Sequence, residues 1–118
     1  MTAFAKARAE HKGVMVDFAA EWCNPCKKME KTFGNDAVFA AITSSFVPLK
    51  FDVTADTGAN EALKERYGAM TLPAIVFLDP DGTVVQRIHK EIETDEMLDV
   101  VKRAAAHDML GSTTPCRR

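Results

Sequence analysis

Val14-Met15-Val16-Asp17-Phe18-Ala19-Ala20-Glu21-Trp22-Cys23-Asn24-Pro25-Cys26-Lys27 joins a short apolar run to the start of a helix through one tight connection. Residues 14–19 have the length and character of a strand buried inside a sheet. Pro25 belongs in the first turn of a helix, where its missing N–H leaves nothing unsatisfied. Residues 24–33 are helical in composition. The stretch therefore predicts a central strand that delivers two cysteines to a helix N-terminus.

Outward from it, residues 2–11 predict an amphipathic helix ended by Gly13. Gly34-Asn35-Asp36 breaks the cysteine helix, and Asp36 is the expected cap of a short helix over 37–43. Residues 46–53 predict a strand in which Pro48 marks an edge or a bulge. A polar loop over 54–60 leads to a helix over 61–67, stopped by Gly68. Residues 74–78 are a strongly apolar strand. Asp79-Pro80-Asp81-Gly82 is a turn, because Pro presets φ and Gly accepts positive φ, so residues 83–88 are an antiparallel partner. Thr94 is the expected cap of the last helix, with Asp95 and Glu96 at its positive end and Met97, Leu98, Val101 and Ala105 on its core face. From Asp108 the composition reads as a flexible tail, which divides the chain into a domain over 1–107 and a tail over 108–118.

The fold class is therefore α/β. Two strand–helix–strand crossovers predict parallel strands with helices on both faces, and a C-terminal hairpin adds antiparallel pairing to give a mixed sheet.

With 118 residues the chain makes one domain, large enough to bury a core without disulfide staples. A net charge of −2 with no basic stripe gives nucleic acid nothing to bind. No apolar run approaches the ~20 residues of a membrane span, and residues 2–11 lack the apolar centre of a signal peptide. The chain thus reads as a cytosolic monomer, or as a mature or excised piece of an exported protein. Three cysteines are too few for a stapled secreted domain. They suit a working pair, Cys23 and Cys26, and an inert bystander, Cys116.

Unpaired N–H groups and the helix dipole favour an anion at a helix start. A cysteine there ionises more readily than a free one, and the thiolate is the nucleophile in disulfide exchange. Lys27 and Lys28 add positive charge. Cys23 is thus the attacking sulfur and Cys26, one turn deeper, the resolving one. Trp22 supplies flat apolar surface beside them. A zinc site needs further ligands, and Cys116, His11, His89 and His107 form no second pair. Covalent haem needs His after the second cysteine, where Lys27 stands. No metal and no cofactor beyond the disulfide is expected.

Three further residues carry alternative readings. Asp17, a carboxylate inside an apolar run, either faces water at a strand end or lies beneath the cysteine helix. Buried there it would titrate high and accept the Cys26 proton. Glu30, four residues after Cys26, shares that helical face. It is either part of the same machinery or a solvated glutamate paired with neighbouring lysines. Pro73, on its own, is a proline opening a strand.

The blocks Phe18-Ala19-Ala20-Glu21-Trp22-Cys23-Asn24-Pro25-Cys26-Lys27 and Tyr67-Gly68-Ala69-Met70-Thr71-Leu72-Pro73-Ala74, at their spacing, resemble the thioredoxin superfamily over about residues 14–106. The resemblance implies a thioredoxin fold, a cis Pro73 facing the cysteines, and Asp17 as the buried acid. It also implies a substrate surface that includes Trp22, Asn24, Pro25, Leu72 and Pro73, with Leu72 offering its backbone to substrate. Within the superfamily, Lys31-Thr32-Phe33 before a second short helix and Asp52-Val53-Thr54-Ala55 resemble the C-terminal, periplasmic domain of DsbD reductases. There Glu30 matches an acidic residue near the active site. That likeness implies a protein-disulfide reductase or relay, fed by a membrane-embedded donor domain and passing electrons to protein disulfides on the periplasmic side. Asn24-Pro25 departs from it, since that domain usually lacks proline between its cysteines. Two other readings stand beside it: a cytoplasmic thioredoxin fed by a thioredoxin reductase, and a non-catalytic binding module.

Overall fold

The computed structural model describes residues 2–113, with side-chain surroundings through residue 106. β1 (Gly13–Ala19) runs through the middle of a four-stranded sheet ordered β2-β1-β3-β4, where β2 is Phe46–Asp52, β3 Ala74–Leu78 and β4 Val84–Ile88. Among the described residues five helices complete it: α1 (Ala3–Ala9), α2 (Asn24–Phe33), α3 (Asp36–Ser45), α4 (Gly58–Tyr67) and α5 (Thr94–Thr113). Among the described residues no helix is long and apolar enough to cross a membrane.

Side chains alternate across a strand, and the two faces of β1 open two cores. Val14, Val16 and Phe18 join Val76, Leu78, Ala7 and Ala69 on the face covered by α1 and α4. Met15 joins Ile75, Phe77, Met29, Val38, Ile42 and Met97 on the face covered by α2, α3 and α5. Asp17 falls on this second face, beneath the helix that carries the cysteines. In β1 it is the one residue short of full burial.

Pro48 sits on an edge strand, as expected, since β2 pairs with β1 alone. Gly68 ends α4 at φ 67°, and Gly82 turns the hairpin at φ 90°. Three expectations are corrected. First, only β1 and β2 are parallel; β3 runs antiparallel to β1, with Phe18 opposite both Phe51 and Ala74. The chain leaves β2 and re-enters at β3 at the same end of the sheet. Helical periodicity shows that a helix intervenes, and says nothing about the end at which the chain returns.

Second, two caps shift by one residue. Asn35 caps α3 by accepting from the Ala37 and Val38 amides at 3.0 and 3.1 Å, which leaves Asp36 in the first turn against the positive end of the dipole. The carbonyl of Glu93 accepts the first bond of α5, from Met97, so Thr94 is already helical. Third, α4 begins at Gly58, capped by Thr57, earlier than the polar composition of that stretch suggests. The core positions of α5 are Met97, Val100, Val101 and Ala104, with Leu98 and Ala105 at their margin. α5 continues through Thr113, past Asp108; Cys116 and the remainder of the segment read as a tail lie outside the described residues.

Gly13 starts β1 where a Cβ would run into the Leu78 carbonyl oxygen and come within 2.9 Å of the Phe46 ring, whereas a Cβ at Gly58 meets nothing within 4 Å. Backbone cannot yield as a flexible side chain does. Gly13→Ala should lower stability by about 1–3 kcal/mol. Gly58→Ala should be neutral or stabilising by up to ~1 kcal/mol. Urea midpoints check the pair; equal midpoints would refute the close approach of β1 and β3.

Candidate active site

Cys23 is the N-cap of α2, with extended backbone at φ −96° and ψ 99°. Its sulfur accepts the Cys26 amide at 3.2 Å, so a sulfur takes the place that an oxygen usually fills at a helix start. Its own amide donates to the Ala20 carbonyl at 3.1 Å, closing the turn after β1. Pro25 lies in the first turn. Cys23 and Cys26 are joined as a disulfide with Cα atoms 5.3 Å apart. Both are buried, in a small cluster with Ala19 and Ala20 against which Leu72 packs. The Leu72–Pro73 peptide is cis. The Cys26 sulfur lies 4.0 Å from the Phe18 carbonyl oxygen, at the end of β1.

Two exposed apolar side chains stand out near this buried pair. Trp22, next to Cys23, is 61% exposed, and Met70, two residues before Leu72, is 54% exposed. The Trp22 indole is nonetheless tied, its Nε1 donating to the Thr54 carbonyl at 3.2 Å. A cleft of about 330 Å³ opens beside Cys26, walled by Glu21, Lys27, Glu30, Lys50 and Asp52.

The charges here form one group. Lys50 of β2 donates to Glu30 Oε1 of α2 at 2.9 Å. That hydrogen bond is the main reason the Lys50 ammonium holds its proton beyond the ordinary lysine range. Asp17 pairs in register with Lys50 across β1 and β2. Burial pushes its carboxyl up from 3.8 to about 6; Lys50 opposes the shift and Glu30 adds to it. Asp17 reaches solvent beside a separate apolar cavity of about 190 Å³, lined by Met15, Phe33, Phe39, Ile42, Leu49 and Lys50. Asp52 goes the other way: hydrogen bonds from the Thr54 hydroxyl and amide hold its carboxyl below the usual carboxylate range.

The structure thus brings Cys23, Cys26, Trp22, Pro25 and Leu72–Pro73 to one end of the sheet, with Asn24 opening the helix between the cysteines. Glu30 lines the cleft with Cys26, yet half of its side chain is exposed and its partner is Lys50 of β2 rather than a lysine on its own helix. Lys50 and Thr54 are the members that sequence reasoning missed. Both lie on or just after a strand already recognised; alternation groups Lys50 with Pro48 and Asp52 on one face of it, and only the register with β1 puts that face beside Asp17. Among the described residues no group of three His, Cys, Asp or Glu is placed to hold a metal ion.

A Cys23–Cys26 disulfide at a helix start, above a partly buried carboxylate and beside a cis proline, is a paired-cysteine site on a thioredoxin fold. Comparison with known proteins agrees. The family model of the thioredoxin-like domain matches residues 1–105, and the chain belongs to that family. It is 33% identical over 105 residues to the thiol:disulfide interchange protein DsbD 1 of Pseudomonas aeruginosa, covering 87% of this chain and 18% of that protein. The chain therefore spans about a fifth of the length of that relative. The C-terminal domain of DsbD from Neisseria meningitidis, in its oxidised form, superposes with a TM-score of 0.78 at 28% identity, over 86% of this chain and 90% of that one. A thioredoxin from Thermus thermophilus superposes with a TM-score of 0.81 at 26% identity, over 93% and 86%.

The raised Asp17 carboxyl has a stability consequence. Between pH 3.8 and about 6 the folded chain holds a proton that the unfolded chain has released. Stability therefore falls as pH rises through that window, and the cost of the buried charge is complete above it. Two pH units correspond to roughly 3 kcal/mol. Asp17→Asn should stabilise the oxidised chain by about 1–3 kcal/mol at pH 7.5, and the gain should vanish by pH 3.5. Denaturant midpoints at the two pH values test this. A gain of the same size at both would show that burial of the charge is not its source.

Proposed function

We propose that this domain is a protein-disulfide reductase or electron relay of the DsbD kind, working through the Cys23–Cys26 couple with no other cofactor. One observation carries the reading: the Cys23 sulfur sits at the N-terminus of α2, faces the Cys26 amide at 3.2 Å, and is covalently within reach of its partner. On reduction the same amide and the helix dipole face a thiolate.

The reaction balances as two successive exchanges. The Cys23 thiolate attacks one sulfur of a substrate disulfide; the new S–S bond forms as the old one breaks, and the departing substrate thiolate takes a proton. Cys26 then gives up its proton, attacks the Cys23 sulfur, and expels the second substrate thiolate, which is protonated in turn. The substrate gains two electrons and the domain is left oxidised. Asp17, which titrates near 6 beneath α2, accepts the Cys26 proton at neutral pH. Glu30 and Lys50 shape the charge around that transfer. Trp22, Asn24, Pro25, Leu72 and Pro73 form the surface on which substrate lies.

An upstream dithiol must then reduce the pair again. The likeness to DsbD 1, of which this chain spans 18%, supports a membrane-embedded donor domain and a place on the periplasmic side. The Thermus thermophilus thioredoxin supports the other arrangement, a free domain reduced by a thioredoxin reductase.

Cys26→Ser should trap substrates as mixed disulfides on Cys23, visible as reductant-sensitive adducts, while Cys23→Ser should trap none and abolish insulin reduction. Adducts forming on Cys26 in the Cys23→Ser protein would reverse the assignment. Turnover with NADPH and a thioredoxin reductase would favour the free-standing arrangement over the relay.

A further inference from the structure

Beyond Asp52 the β1–β2 pairing does not simply end. The Val53 amide donates to the Ala19 carbonyl at 2.8 Å. The Glu21 amide donates to the Thr54 hydroxyl oxygen at 2.9 Å. The Trp22 indole donates to the Thr54 carbonyl at 3.2 Å. Three successive bonds thus lash residues 53 and 54 to the end of β1 and the segment that follows it to Cys23. Thr54 is itself held from behind. Its hydroxyl donates to Asp52 Oδ1 at 2.5 Å and its amide to the same oxygen at 2.9 Å. The hydroxyl therefore gives its one proton to Asp52 and receives the Glu21 amide on a lone pair, which leaves it a single orientation.

An indole that is 61% exposed has little packing to keep it in one place. Here its anchor is a carbonyl whose residue is fixed by a carboxylate. Asp52 also forms part of the wall of the cleft beside Cys26, so the anchor and the cleft share one residue. The hydrogen bonds from Thr54 hold the Asp52 carboxyl below the usual carboxylate range.

We propose that Thr54, braced by Asp52, is a positioning residue that holds Trp22 and the Glu21–Trp22 backbone in a fixed platform beside Cys23, and so gives the domain its preference for protein disulfides over small ones. This rests on the exchange reading above and deepens it by naming a determinant of substrate class. A small disulfide needs only the sulfur, whereas a polypeptide must lie on the surface that Trp22 presents. A platform fixed beforehand spares the ordering of that side chain on docking.

Thr54→Val keeps the shape and removes both hydroxyl bonds; Thr54→Ser keeps the bonds. Trp22 is the only tryptophan in the chain, so its fluorescence anisotropy reports the platform alone. The probes are insulin and bis(2-hydroxyethyl) disulfide, with urea midpoints measured alongside. In Thr54→Val the ratio of kcat/KM for insulin to that for the small disulfide should fall about fivefold, the loss expected for hydrogen bonds of ordinary strength. The anisotropy should fall with it, and Thr54→Ser should restore both. An unchanged ratio, an unchanged anisotropy, or a serine variant no better than valine overturns the proposal while leaving the exchange chemistry standing. A wild-type domain inert toward both disulfides would remove the exchange reading and this proposal with it.

Discussion

A backbone amide at the first turn of α2 points at a sulfur. Every helix start leaves such groups to be satisfied, and most proteins use a hydroxyl or a carboxylate. Here the Cys23 sulfur takes that place, accepting from Cys26. The arrangement needs β1 to end close to where α2 begins, with Ala20, Glu21 and Trp22 leading to the capping Cys23, the fourth residue of that connection. Cys26 must lie one turn on, facing the end of β1. The central position of β1, paired on both sides, gives the helix a rigid base from which to present the pair.

The same base carries a feature that works against stability. Asp17 interrupts an otherwise apolar strand, on the face covered by α2, α3 and α5. A carboxylate that titrates near 6 is ionised at neutral pH at the expense of folding free energy. A purely structural residue in this position would be apolar, as Met15 and Ile75 are. Lys50 lowers the cost but does not remove it, because burial outweighs its attraction and the Glu30 carboxylate bonded to it repels Asp17. The pairing of Lys50 with Glu30 thus leaves Asp17 with less compensation than a free lysine at the same register would give. Burial is what lifts its titration toward neutral, with Glu30 adding to the shift, where a proton acceptor is useful.

Much of this was legible in the sequence. Strand β1, helix α2, the hairpin at Asp79-Pro80-Asp81-Gly82 and the stop at Gly68 each follow from local rules: apolar runs, a proline in a first turn, glycines at positive φ. The cysteine pair and its place on the helix follow from spacing alone. The cis state of Leu72–Pro73 entered only through the resemblance, because nothing local distinguishes it from a trans peptide. The direction of β3 was missed because it depends on which end of the sheet the chain returns to, a property of the whole fold. Lys50 and Thr54 escaped notice for a related reason. Their partners, Glu30, Glu21 and Trp22, are distant in sequence, and an exposed lysine or threonine on a strand margin carries no signal until the register between β1 and β2 is known.

Asn24-Pro25 between the cysteines changes the balance at the helix start. A first turn ordinarily offers several free N–H groups, and a proline there offers none of its own. The Lys27 amide is already committed to the Cys23 carbonyl at 3.3 Å. Of the amides after Asn24 in this turn, that leaves the Cys26 amide, bonded at 3.2 Å, as the donor that faces the Cys23 sulfur. The stabilisation of a thiolate at this position is therefore concentrated in one group, which belongs to the resolving cysteine itself. Any movement of Cys26 toward the Cys23 sulfur during resolution shifts the donor that held the anion. The attacking and resolving roles are coupled through backbone as well as through the disulfide.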